Sequence, residues 1–211
     1  MRQNGWTVLQ YWFFYFLNDW YDIHEGDWEM IELIFNGENL QKVYEQGVPE
    51  IIAYSQHTEI PGFTPGGTKK DWQSVDKEGN HPVIYIALGS HANYFKPGKY
   101  LLDLKSTFLA GMWFAIEGLT EGRGSDIAVR AEQKRLTQGN YQIILISEAT
   151  PWLNFKQYWG EWIGDTPKLD KRMNKIMVNG PLTPALQESW RNPKEWAESR
   201  KDDSDYFGLK R

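Results

Sequence analysis

The chain has 211 residues, 41% hydrophobic and 24% charged, the mix of a globular protein able to bury the core of one large domain. A net charge of −5 without a basic run argues against a nucleic-acid binder, and the lack of cysteine excludes disulfides, thiolate zinc sites and a thiol nucleophile. Aromatic content is high at 15%, and such residues favour strands and offer flat apolar faces with polar rims.

The first element is a strand, Trp6–Phe16, rich in aromatics and free of Gly and Pro. Its apolar run, Val8–Leu17, is broken by Gln10 and is about half the ~20 residues of a spanning helix. The segment also lacks the basic start and cleavage site of a signal peptide. The expectation is a soluble chain, cytoplasmic or peripheral to membranes, with no transmembrane segment. A chain entering a core strand this early is expected to be missing upstream sequence, such as a further strand.

Residues Asn18–Gly26 read as a polar turn. Trp28–Phe35 follows as an alternating strand, with Trp28, Met30, Glu32 and Ile34 on one side and Glu29, Ile31, Leu33 and Phe35 on the other. Further strands are expected at Glu50–Ser55, Pro82–Leu88 and Gln142–Ser147. The stretches Ile60–Asn80 and Gly118–Asp126, rich in Gly and charge, read as loops, the first exposed and mobile, and Ser106–Ile116 as a short amphipathic helix. Short strands between turn-rich loops, with few helices and no phosphate-binding glycine loop, predict a mainly β protein: an antiparallel β-sandwich with short peripheral helices. Residues 1–184 are expected to form a single sandwich domain, and 185–211 a helical, partly disordered tail.

The chemistry-bearing residues cluster near strand ends. In His24-Glu25-Gly26-Asp27-Trp28-Glu29, period-two geometry sets Asp27 and Glu29 on one face of a strand. His24 can fold back onto that face because Gly26 permits an unusual backbone angle. One imidazole and two carboxylates, with Asp19 or Asp22 as a further oxygen donor, suit Ca²⁺, Mg²⁺ or Mn²⁺ better than structural zinc. The competing reading is a polar strand end whose acids cap nearby amides. His57 and His91 end two apolar strands and are the general acid–base candidates if the chain is an enzyme, or ligand contacts if it is not. Satisfied core imidazoles are the plainer alternative for both. His81 reads as a surface histidine. Ser55 and Ser90 lack the turn motif of a serine nucleophile.

The pieces LQYWFFY (Leu9–Tyr15), HEGDWE (His24–Glu29), YSQH (Tyr54–His57), HPVIYIALGSHANYF (His81–Phe95), YWGEW (Tyr158–Trp162) and NGPLTP (Asn179–Pro184) resemble, in this order, the Vps62 family of vacuolar protein sorting-associated proteins. The His, Asp-Trp-Glu spacing is also similar, more distantly, to the necrosis- and ethylene-inducing toxin-like proteins. That second resemblance implies a divalent cation held by His24, Asp27 and Glu29 at the edge of a β-sandwich, with His57 as the later histidine. Glu25 and Gly26 replace the toxin's arginine and second histidine, which does not fit toxin activity.

Three functions compete on these grounds. The first is a non-enzymatic, metal-dependent module binding a glycan or lipid headgroup, with peripheral membrane contact, using His57, His91, Trp28 and Tyr94, and Trp20 and Trp72 as further stacking faces. The second is a metal-dependent hydrolase. The third is a trafficking or scaffold protein in which the cluster is structural.

Overall fold

The computed structural model describes residues 2–3, 5–19, 23–37, 39–57, 66–101, 125–129, 143–161 and 180–203. In chain order the strands are β1 (Arg2–Gln3), β2 (Trp6–Asn18), β3 (His24–Asn36), β4 (Ile51–Ser55), β5 (Gly67–Asp71), β6 (Lys77–Glu78), β7 (His81–Pro82), β8 (Tyr85–Ala87), β9 (Asn93–Tyr94), β10 (Gly98–Leu101), β11 (Ser125–Val129) and β12 (Lys201–Asp202). The helices are short: α1 (Leu40–Gln46), α2 (Glu188–Arg191) and α3 (Pro193–Ser199). The protein is mainly β with antiparallel pairing throughout, save for the parallel contact of β12 with β5.

The larger sheet runs β1-β2-β3-β4-β5-β12 and the smaller β10-β11-β8-β9, with β6 and β7 forming a separate ribbon. Alternation along β3 divides the core. Ile31, Leu33 and Phe35 join Ile52, Tyr54, Trp72, Val75 and Phe95 on the face towards the smaller sheet. Met30 and Ile34 join Val8, Ala53, Trp196 and Ala197 on the face that α3 covers. A strand covered on both sides is buried almost continuously, which is why β3 is buried at both phases of its pattern.

Several expectations are corrected by these contacts. The turn expected at Asn18–Gly26 ends earlier: His24, Glu25 and Gly26 belong to β3, with Glu25 opposite Leu17 and His24 opposite Asn18. The supposed mobile loop over Ile60–Asn80 contains β5, a 3-10 turn and β6 from residue 67 onward, and buries Trp72 and Val75. Asp71 makes that possible by capping the turn, accepting from the amides of Gln73 and Ser74. The strand expected at Pro82–Leu88 is split between β7 and β8, each pairing elsewhere. Residues 143–147 carry no strand, and Ile143, Ile144 and Leu145 are exposed. In the stretch expected as a tail, α3 puts Trp196 and Ala197 into the core and β12 extends the larger sheet. The helix expected at Ser106–Ile116 lies outside the described residues, as does 118–124. No helix among the described residues is long and apolar enough to cross a membrane.

Candidate functional site

The β2–β3 register sets Tyr15 opposite Asp27 and Phe13 opposite Glu29. Directly opposed side chains share a face, so Tyr15, Asp27 and Glu29 stand together on the side covered by the smaller sheet. The imidazole that meets them is His91, carried by the turn between β8 and β9. Its Nδ1 lies 3.0 Å from Asp27 Oδ2, and its ring stacks on Tyr15 with centroids 4.0 Å apart and planes 5° from parallel. A carboxylate oxygen accepts, so His91 serves as the donor from Nδ1 in this pair. In the neutral ring this leaves the Nε2 lone pair without a hydrogen-bond partner among the described residues, on a side chain 19% exposed.

The backbone is arranged to deliver that ring. Among the described residues His57 (φ 48°) and His91 (φ 58°) are the only non-glycine residues with positive φ. Histidine tolerates this region better than most side chains, yet the conformation persists only where neighbours hold it. Asp19 N donates to Gly89 O at 3.0 Å and His91 N to Ala87 O at 3.1 Å, tying the turn to the end of β2 and to its own strand.

Glu29, 4% exposed, accepts a short hydrogen bond from Ser55 Oγ, which itself accepts from Met30 N at 2.7 Å. The serine is thus coupled to a carboxylate rather than to an imidazole. Burial, then Glu29, then Asp27 push the Tyr15 hydroxyl above its ordinary range, so it stays protonated as a donor beside two acids. Just past β4, Gln56 Nε2 donates to Asn93 O at 2.9 Å, and Asn93 Nδ2 to Met30 O at 3.3 Å, extending the polar joint between the sheets.

Asp27 and Glu29 are brought together as expected. His24 does not join them: as the first residue of β3 it shares the phase of Trp28 and Met30, and its Nδ1 lies 3.2 Å from Glu25 O. Asp19 is exposed and contributes through its backbone. His57 follows Gln56 beyond β4, at the same end of the sheet. Asp22 and Trp20 lie outside the described residues. Tyr94 and Trp72 are corrected as ligand contacts. Tyr94 is 0% exposed and stacked on Tyr100, and Trp72 fills the core under Lys77. Trp28 points into an aromatic cluster with Trp12, Phe14, Trp152 and Trp159 on the opposite face from Asp27.

The motifs quoted from distant parts of the sequence converge here. Glu25 N donates to Glu161 O at 2.8 Å and Trp159 N to Pro181 O at 2.9 Å, so the 158–161 and 180–182 segments dock on the start of β3. The docking is backbone against backbone. A Cβ on Gly26 (φ 69°) would lie 1.8 Å from Trp159 O, and one on Gly160 2.1 Å from Glu25 O.

The expected cation shell is not preassembled. Among the described residues no three His, Asp or Glu side chains converge to hold a metal ion, and Asp27 and Glu29 spend oxygens on His91 and Ser55. Sequence reading missed Tyr15, whose signal is visible only once the β2–β3 register is known.

Fold and site together define an antiparallel β protein with a polar joint between its sheets. The chain is 26% identical over 213 residues to TDA6 of Saccharomyces cerevisiae, named as a vacuolar protein sorting-associated protein; the alignment covers 89% of this chain and 43% of TDA6. The chain thus spans less than half the length of the curated relative it matches, a likeness that supports a distant Vps62-like relationship and not the toxin-like one. No family model and no solved structure matches the chain.

Proposed function

We propose that the chain is a recognition module of a vacuolar-sorting-type protein, one that binds rather than transforms its ligand, and that its ligand is a neutral, hydroxyl-rich glycan headgroup. The observation that carries this is the imidazole of His91, oriented by Asp27 and by Tyr15 with Nε2 left to accept a ligand hydroxyl. Charge decides between headgroup types. Asp27 and Glu29 lie at the joint, and Asp19 and Glu25 flank it in the chain. Two like charges ~6 Å apart near a protein surface repel by about 3 kcal/mol, roughly a hundredfold in affinity. That opposes a phosphate, whereas hydroxyls can donate to carboxylate oxygens and to Nε2. The Ser55 hydroxyl is paired with the buried Glu29 carboxylate and lies outside the strand-to-helix turn of a serine nucleophile, which favours binding over hydrolysis.

The test is a titration of the folded protein with soluble neutral oligosaccharides, read on the His91 ring resonances, with inositol phosphate as the anionic comparison and Ca²⁺, Mg²⁺, Mn²⁺ or chelator added in separate arms. The expected result is a saturable shift with a neutral sugar, insensitive to chelator and lost in folded Asp27→Asn. Binding of inositol phosphate alone, or a strict need for one cation, would overturn the reading. A second reading, a purely structural joint in a trafficking scaffold, is favoured by the burial of Asp27 and Glu29. It predicts that no probe shifts His91.

A further inference from the structure

We infer that the outer edge of β2 is the interface through which two copies of this chain pair. Strand β1 covers that edge only at Trp6 and Thr7. From Leu9 to Leu17 no strand among the described residues pairs with β2 on the side away from β3. Nine residues of extended backbone present ~30 Å of edge, with about one hydrogen bond per residue open to a partner strand.

Monomeric proteins protect such an edge with charged residues, proline or bulges. Here the strand Trp6–Asn18 contains no Asp, Glu, Lys, Arg, His or Pro. Five of the nine residues in the open window are large hydrophobics left exposed: Leu9, Tyr11, Phe14, Phe16 and Leu17. Phe16 is 76% exposed.

The window is its own complement. It is centred on Phe13, and an antiparallel second copy related by a two-fold axis there sets Leu9 opposite Leu17, Gln10 opposite Phe16, Tyr11 opposite Tyr15 and Trp12 opposite Phe14. No pair sets like charges together, and apolar or aromatic residues meet in every pair but the one with Gln10. The paired β1 closes the window at one end and the end of β2 closes it at the other, so this register uses all of the open edge. It joins the two larger sheets into one continuous sheet and is independent of the glycan reading.

Light scattering of the eluting protein tests the pairing. The wild type is expected at about twice the 24.7 kDa of one chain, dissociating on dilution. Leu9→Lys and Leu17→Glu, both at exposed positions that leave the core intact, are each expected to give monomers. The double variant restores the dimer, because each introduced lysine then faces an introduced glutamate across the two-fold. Hydrogen exchange at the amides of residues 9–17 supplies a second readout, slowed at high protein concentration and fast on dilution. A wild type monomeric up to ~100 µM, singly substituted chains that stay dimeric, or a double variant that remains a monomer would each overturn the inference.

Discussion

At the scale of single residues, two side chains sit where ordinary rules disfavour them. His91 holds a left-handed backbone because its ring is fixed from both sides, by Asp27 at Nδ1 and by Tyr15 across its face. Glu32 is a carboxyl with 0% exposure on the central strand, beneath α3. Burial pushes its pKa up to about 8, opposed by the hydrogen bond from Gln10 at 2.8 Å and by the Arg200 charge. The folded state therefore keeps Glu32 protonated, while the unfolded chain ionises it near its ordinary 4.5. The contribution of Glu32 to stability is thus fully present below pH ~4.5 and is lost as pH rises towards about 8. Urea unfolding at pH 5, 6.5 and 8 is expected to show a wild type that weakens along this series relative to Glu32→Gln. The difference should grow to roughly a few kcal/mol at pH 8. Parallel behaviour of the two proteins across the series would contradict that assignment.

At the scale of elements, the start of β3 is fixed by contacts that leave no room for a side chain. Gly26 and Gly160 let the 158–161 segment cross β3 backbone to backbone. Gly26→Ala is expected to cost roughly 3 kcal/mol or more, since the intruding atom meets a carbonyl oxygen that cannot rotate away. Gly79 also has positive φ, but an added Cβ there meets nothing within 4 Å. Gly79→Ala should cost only about 1–2 kcal/mol, the intrinsic penalty of a left-handed conformation. Thermal unfolding of the two variants measures the contrast, and equal losses would refute the crossing. The strands β2, β3 and β4 and the shared face of Asp27 and Glu29 were legible in the sequence, because aromatic richness and period-two alternation are local signals. The role of His91 was not, because the sheet that brings it to Asp27 is set by strand order, which no local pattern encodes. Two Lys and an Asp hid β5, since these residues are poor strand formers held there by pairing with β4. The apolar run at 143–147 misled in the opposite direction: it has strand propensity but no paired neighbour among the described residues.

At the scale of the whole molecule, the larger sheet is a central layer with the smaller sheet on one face and α3 on the other. The hydrophobic clusters on its two faces use alternate residues of the same strands. The polar joint of Tyr15, Asp27, Glu29, Ser55 and His91 lies where the smaller sheet meets the end of β2 and β3, so it ties the two layers as well as shaping a binding surface. Hydrogen-bonded groups this buried cost about 1–3 kcal/mol when one partner is removed and the other is left unsatisfied. Asp27 and His91 pair across the sheets, and a double-mutant cycle with Asp27→Asn and His91→Asn, followed by urea unfolding at pH 7, tests that pairing most directly. A coupling of roughly 1–3 kcal/mol between the two sites is the predicted result. Additive losses, within about 0.5 kcal/mol, would show that the two side chains do not meet and would contradict the pairing.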